Sequence, residues 1–113
     1  MITWAQVVKL AKAYPGVEET SSWGNPSLKV KGKLLAVLKD EETLVLRVPM
    51  EMKDFLLGAD PELFWTTPHY DGYAAVLIRL KRLKMAELKD LVQRSYEFQT
   101  RPKPKARVKA KTR

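Results

Sequence analysis

Between Ser27 and Val48 three strand-patterned segments are separated only by short turns, and this spacing constrains the fold most. Ser27-Leu28-Lys29-Val30-Lys31 alternates, so Leu28 and Val30 face one way and Lys29 and Lys31 the other. Lys31-Gly32 turns the chain. Lys33-Leu34-Leu35-Ala36-Val37-Leu38 is apolar after its first residue and reads as a central strand. Asp40-Glu41-Glu42 turns it again, into Thr43–Val48. Strands this closely spaced predict an antiparallel meander. Val17–Trp23 is ambiguous. Its Val, Thr and Trp favour extended structure, and its Glu and Ser residues mark a partly exposed edge.

Helical patterns flank the meander. Thr3 can cap a first helix, with Gln6 as its reciprocal partner. Trp4, Val7, Val8, Ala11 and Tyr14 share one face, and Pro15-Gly16 ends it. Pro49 opens a second helix with Met52, Phe55, Leu56 and Ala59 on one side. A third runs from Met85 to about Gln99. Its face is Met85, Leu88, Leu91, Val92 and Ser95, extended by Phe98, and Arg101-Pro102-Lys103-Pro104 stops it. The order is one helix, three or four strands, a helix, one or two strands and a helix. That predicts an α+β fold, its helices packed on one face of a mainly antiparallel sheet. Residues 1–100 make one domain. Residues 101–113 lack apolar periodicity and should be disordered in isolation.

Phe64–Tyr73 is the densest functional stretch. It holds the single histidine, His69, with Trp65, Tyr70 and Tyr73. Thr67-Pro68 and Asp71-Gly72 are turn signals around it, and the apolar run Ala74–Ile78 follows. A polar, aromatic loop at the mouth of a buried strand is expected, with Trp23, Asn25, His69, Tyr70 and Tyr73 around a cleft. Read from spacing alone, His69 and the tyrosines could instead simply close the end of a core, and Trp23 could seal a sheet edge.

Charge is uneven. The net charge is +8, and residues 101–113 carry seven cations and no acid. The basic residues fall into three groups: Lys29, Lys31 and Lys33 around a turn; Arg79, Lys81, Arg82 and Lys84 after a strand; and the tail, with Arg101, Lys103, Lys105 and Arg107. Such clusters can contact DNA phosphates; they can also be solvated edge protection.

Several classes of chemistry find no support. With no cysteine there is no disulfide or thiol nucleophile, and one histidine rules out a multi-histidine metal site within one chain. Ser22, His69 and Asp71 supply hydrolase residue types without a nucleophile elbow. Glu18 and Glu19 with His69 make a weak metal set. The glycines are isolated, so no phosphate loop forms. No apolar run spans a membrane, and the N-terminus lacks a signal peptide. The expectation is a cytoplasmic binding protein without cofactor or catalysis.

Two blocks resemble the MmcQ/YjbR family. The first is Tyr14-Pro15-Gly16-Val17-Glu18-Glu19 with Ser22-Trp23-Gly24-Asn25-Pro26-Ser27-Leu28-Lys29-Val30-Lys31-Gly32-Lys33. The second is Thr66-Thr67-Pro68-His69-Tyr70-Asp71-Gly72-Tyr73 with Val76-Leu77-Ile78-Arg79-Leu80. The resemblance covers about residues 1–100. It departs at Ala74-Ala75, where a proline and a large residue are common, and at Leu28, where phenylalanine is. It implies an α+β fold shared with type III secretion chaperones and grouped with frataxin-like CyaY. It also implies DNA binding through a double-wing arrangement. The alternative is a protein-interaction or small-ligand module using the His69 cleft, with a protein partner or a second copy of the chain.

Overall fold

A computed structural model describes residues 1–101. The elements are α1 (Trp4–Lys12), β1 (Val17–Ser22), β2 (Asn25–Val30), β3 (Lys33–Asp40), β4 (Thr43–Arg47), α2 (Met50–Ala59), β5 (Phe64–Trp65) and β6 (Ala75–Arg79), then α3 (Met85–Thr100). A single 3-10 turn, Pro68–Tyr70, lies between β5 and β6. The six strands form one antiparallel sheet in the order β1-β2-β3-β4-β6-β5. The fold is α+β. The meander covers β1 to β4, and α2 then carries the chain past β6's place to the far edge, β5. Sequence patterning placed Phe64 and Trp65 in a loop; they pair with Ile78 and Leu77 as a two-residue edge strand.

Period-two alternation sorts the sheet into two faces. Leu28, Ala36, Leu46 and Val76 stand in one row, and Leu38, Leu44, Ile78 and Phe64 in the next. These rows meet Val7 and Ala11 of α1 and Leu88, Leu91 and Val92 of α3 in the main core. The α1 start is a capping box: Thr3 Oγ1 accepts from Gln6 N–H, and Thr3 N–H donates to Gln6 Oε1 at 2.8 Å. Tyr14, just past the end of α1, stacks on Tyr96 of α3.

Helix α2 corrects one expectation. Phe55 is 70 % exposed and off the core, whereas Lys53 is only 2 % exposed. The helix turns Met52, Leu56 and Leu57 inward, with Lys53 on the same side. Lys53 is tolerated there because Nζ donates to Tyr70 O at 2.6 Å and Tyr73 O at 2.8 Å.

Strand β3 bulges twice. Leu35 is the extra residue opposite β2, and Lys39 opposite β4. Other elements bond the carbonyls near both bulges. Ser95 Oγ and Gln99 Nε2 of α3 donate to Leu35 O and Leu34 O. Asn25 Nδ2 donates to Leu38 O and Lys39 O, each at 3.1 Å. The last turn of α3 is thereby fixed beside one end of β3.

Candidate functional site

On the helix-free face, Ser27, Val37, Val45, Leu77 and Trp65 form one row across β2, β3, β4, β6 and β5. Only part of it is covered. Val45, Ala75 and Leu77 make a small second cluster, and Tyr70, Val37 and Trp65 pack against it. Tyr70 comes from the loop after β5. The Lys53 amine pins that loop by the carbonyls of Tyr70 and Tyr73. Burial pushes the Lys53 pKa below its usual 10.5, opposed by the charges of Asp71 and Asp54. Burial also raises the Tyr70 pKa above 10.0, with Tyr73 adding to the rise.

Between this loop and the β1–β2 hairpin lies an open trough of about 1310 Å³. Leu34 and Val37, both half-buried, give it apolar surface, with the buried Val45 at its floor. Trp23, Asn25 and Lys39 line it where β2 begins, and Lys29, Arg47 and Tyr73 line it toward the other end of the strands. His69 stands on the loop side, exposed and edge-on to Tyr70 with ring centroids 4.8 Å apart. The trough therefore brings together all five cleft residues named from the sequence. Asn25's amide is already spent on the β3 bulge.

Arg47 was missed by sequence reasoning, because it closes an apolar strand and looks like an ordinary outward charge. It is half-buried. Its Nε donates to Ala74 O at 2.7 Å and its Nη1 to Tyr73 Oη at 3.0 Å. Its guanidinium lies 4.3 Å from the Tyr73 ring centroid and 5.9 Å from that of Phe98. Phe98, expected in the α3 core face, instead packs between the cations Arg47 and Arg101. Lys39, the second bulge residue, was missed for a similar reason: a bulge that re-aims a side chain leaves no mark in an alternating pattern.

The three basic groups separate. Of the first, only Lys29 lines the trough; Lys31 is at the turn and Lys33 pairs with Val30, a core position on the helix side. Arg79, Lys81 and Arg82 line a second hollow of about 740 Å³ with Asp40, Glu41 and Glu42. There Lys81 meets Glu42 at 3.4 Å and Arg82 meets Glu62 at 2.7 Å, so the cations face acids. The Glu42 N–H bonded to Asp40 holds that carboxyl below its usual 3.8. Arg79 lies over the Trp65 ring at 4.3 Å. Lys84 precedes α3, where its N–H is bonded to Glu87. Arg101 is exposed at the end of α3; Lys103, Lys105 and Arg107 lie outside the described residues.

Other residue sets stay apart. Ser22, His69 and Asp71 all line the trough, yet among the described residues no hydrogen bond joins them. No group of three His, Asp or Glu residues fit to hold a metal occurs among them, and Glu19 pairs with Lys12. No described helix is long and apolar enough to cross a membrane.

The sequence model of the YjbR family matches residues 12–98. The chain belongs to the YjbR family. Two mycobacterial relatives, "Uncharacterized protein Mb2600" of Mycobacterium bovis and "Uncharacterized protein Rv2570" of Mycobacterium tuberculosis, are each 30% identical to it. Each alignment covers 97% of this chain and 95% of the relative. The crystal structure of Deinococcus radiodurans protein DR2400, with family-model domain DUF419, superposes with a TM-score of 0.76 at 21% identity. It covers 96% of this chain and 88% of that one, and it supports the YjbR fold rather than an activity.

Proposed function

We propose that this YjbR-family chain is a DNA-binding module without catalytic chemistry, and that its contact surface is the trough on the helix-free face. One observation carries the reading. Lys29, Lys39 and Arg47 line the trough, and Asp71 is the only acid among the residues lining it. None of the three cations belongs to a salt bridge among the described residues. Asp71 itself faces the buried Lys53 charge. The trough therefore offers uncompensated positive charge, whereas the Arg79–Arg82 hollow does not. Arg101 ends the described chain on Phe98, beside Arg47, and six more cations follow in sequence. The described chain thus ends near the trough with a run of cations still to follow in sequence, a charge pattern that suits a polyanion.

The test is a titration of labelled DNA against the full chain at several salt concentrations. Log affinity should fall linearly with log salt. Replacing Lys29, Lys39 or Arg47 by glutamine should each flatten the slope by roughly 0.7–0.9. Deleting residues 102–113 should flatten it by up to about 4–5 more, with little change in base preference. Absence of DNA binding at low salt would sink this reading. A small apolar ligand seated on Leu34 and Val37 would then become the better account of the trough.

A further inference from the structure

The β1–β2 turn carries a feature that the fold does not need. Trp23 and Gly24 are its two central residues, at φ 55° and 81°, between the paired Ser22 and Asn25. Two left-handed residues in a two-residue hairpin loop call for Asn-Gly or Asp-Gly. A bulky aromatic in the left-handed region is strained, and here nothing repays the strain: the Trp23 side chain is fully exposed, at 101 %. The next hairpin has the same geometry, with Lys31 at φ 53° and Gly32 at φ 77°, and places only a flexible cation there. Both turns fold alike, so the indole is not a folding device. It is held in water at the lip of a cationic trough.

We infer that the trough takes an unpaired DNA strand rather than a duplex, with a base stacked on Trp23 and phosphates on Lys39, Lys29 and Arg47. This rests on the DNA-binding reading above. Three features of the trough favour the single strand. An indole offers a face, and only an unstacked base has a free face to set against it; a duplex presents base edges and phosphates. The trough surface given by Leu34 and Val37 is apolar, which a sugar or base can cover and a phosphate backbone cannot without losing its water. Tyr73, 40 % exposed, stands toward the opposite end with Arg47 at its ring, so an aromatic and a cation meet the strand at both ends.

The experiment compares, over one common series of salt concentrations, a labelled oligothymidine, a duplex of equal length and the matching oligouridine on the full chain. The single DNA strand should bind at least roughly tenfold tighter than the duplex. Trp23→Ala should weaken single-strand binding about tenfold or more, and Trp23→Phe should restore most of it. Neither variant should alter the salt slope, because no phosphate contact is lost. Duplex binding equal to or tighter than single-strand binding, or indifference to Trp23→Ala, would overturn the inference while leaving DNA binding in the trough intact. Tighter binding of the RNA strand would overturn the choice of DNA. Binding of neither DNA form would remove the underlying reading and this inference with it.

Discussion

Leu46 and Val45 are neighbours on β4, and they live on opposite sides of one sheet. Leu46 stands in a row with Leu28, Ala36 and Val76, on the helix side of the sheet and fully buried. Val45 stands in a row with Ser27, Val37 and Leu77, under a single loop. Both rows obey the same alternation. What differs is the cover: three helices on one side, and on the other a loop held by one amine, with cations and aromatics around the remainder. The structural side is closed by packing. The other is closed only in part, and that leaves a surface open to solvent.

The largest expected effect tests this contrast directly. Leu46→Ala should cost about 3 kcal/mol, from lost burial and the cavity left behind. Val37→Ala, on a half-buried position of the open face, should cost about 1 kcal/mol or less. Urea denaturation of the two variants reads the difference. Equal losses would mean that the helix-free face is core after all, and that the trough is not a free surface.

Lys53 should come next. Lys53→Ala removes the donor to Tyr70 O and Tyr73 O and should cost about 2 kcal/mol. Amide exchange across residues 66–74 should quicken, while exchange in β2 and β3 stays slow. Unchanged exchange in the loop would show that the amine holds nothing. The pH dependence has a definite sign. The folded-state pKa of Lys53 lies below 10.5, so in the interval beneath 10.5 the unfolded chain binds more protons. Lys53 therefore contributes stability that rises as pH climbs toward 10.5. A neutral amine keeps two N–H groups, enough for both carbonyls. Tyr70 acts oppositely above pH 10, since its proton is held longer in the folded state. The pH dependence of the stability difference between the native chain and Lys53→Met isolates the lysine, and that difference should be flat with pH if the shift is absent.

Much of the fold was legible because period two and period 3.6 are local signals. The capping box at Thr3 and Gln6, the meander, and the α3 face at Leu88, Leu91, Val92 and Ser95 all follow from spacing within one element. The errors arose where a distant group decides. Phe55 fits the helical pattern as well as Lys53 does; only the two carbonyls of a loop seventeen to twenty residues away make the lysine the buried one. The loop aromatics and His69 were visible as a cluster of unusual composition. Arg47 and Lys39 were not, because an outward cation in a strand and a bulged one read identically in sequence. Likewise the Arg79–Arg82 group looked like the Lys29 group until the structure set Glu42 and Glu62 against it.

The smallest effect expected has the reverse sign. Trp23→Asn places, at a left-handed φ, a residue that tolerates it, and it removes an exposed indole that packs on nothing. Folding stability should rise by about 1 kcal/mol. Lys31→Asn, in the matching turn, should raise it by a similar amount and serves as the control. The two should part in binding. Trp23→Asn should lose single-strand affinity roughly tenfold, whereas Lys31→Asn, whose side chain is not among those lining the trough, should lose far less. Stability gained at both turns with affinity lost at one would show that the exposed tryptophan is retained for a partner and against the fold's own preference. If Trp23→Asn is instead destabilising, the indole packs on the chain in solution. The turn would then belong to the structural side of the comparison, and the trough would lose its stacking platform.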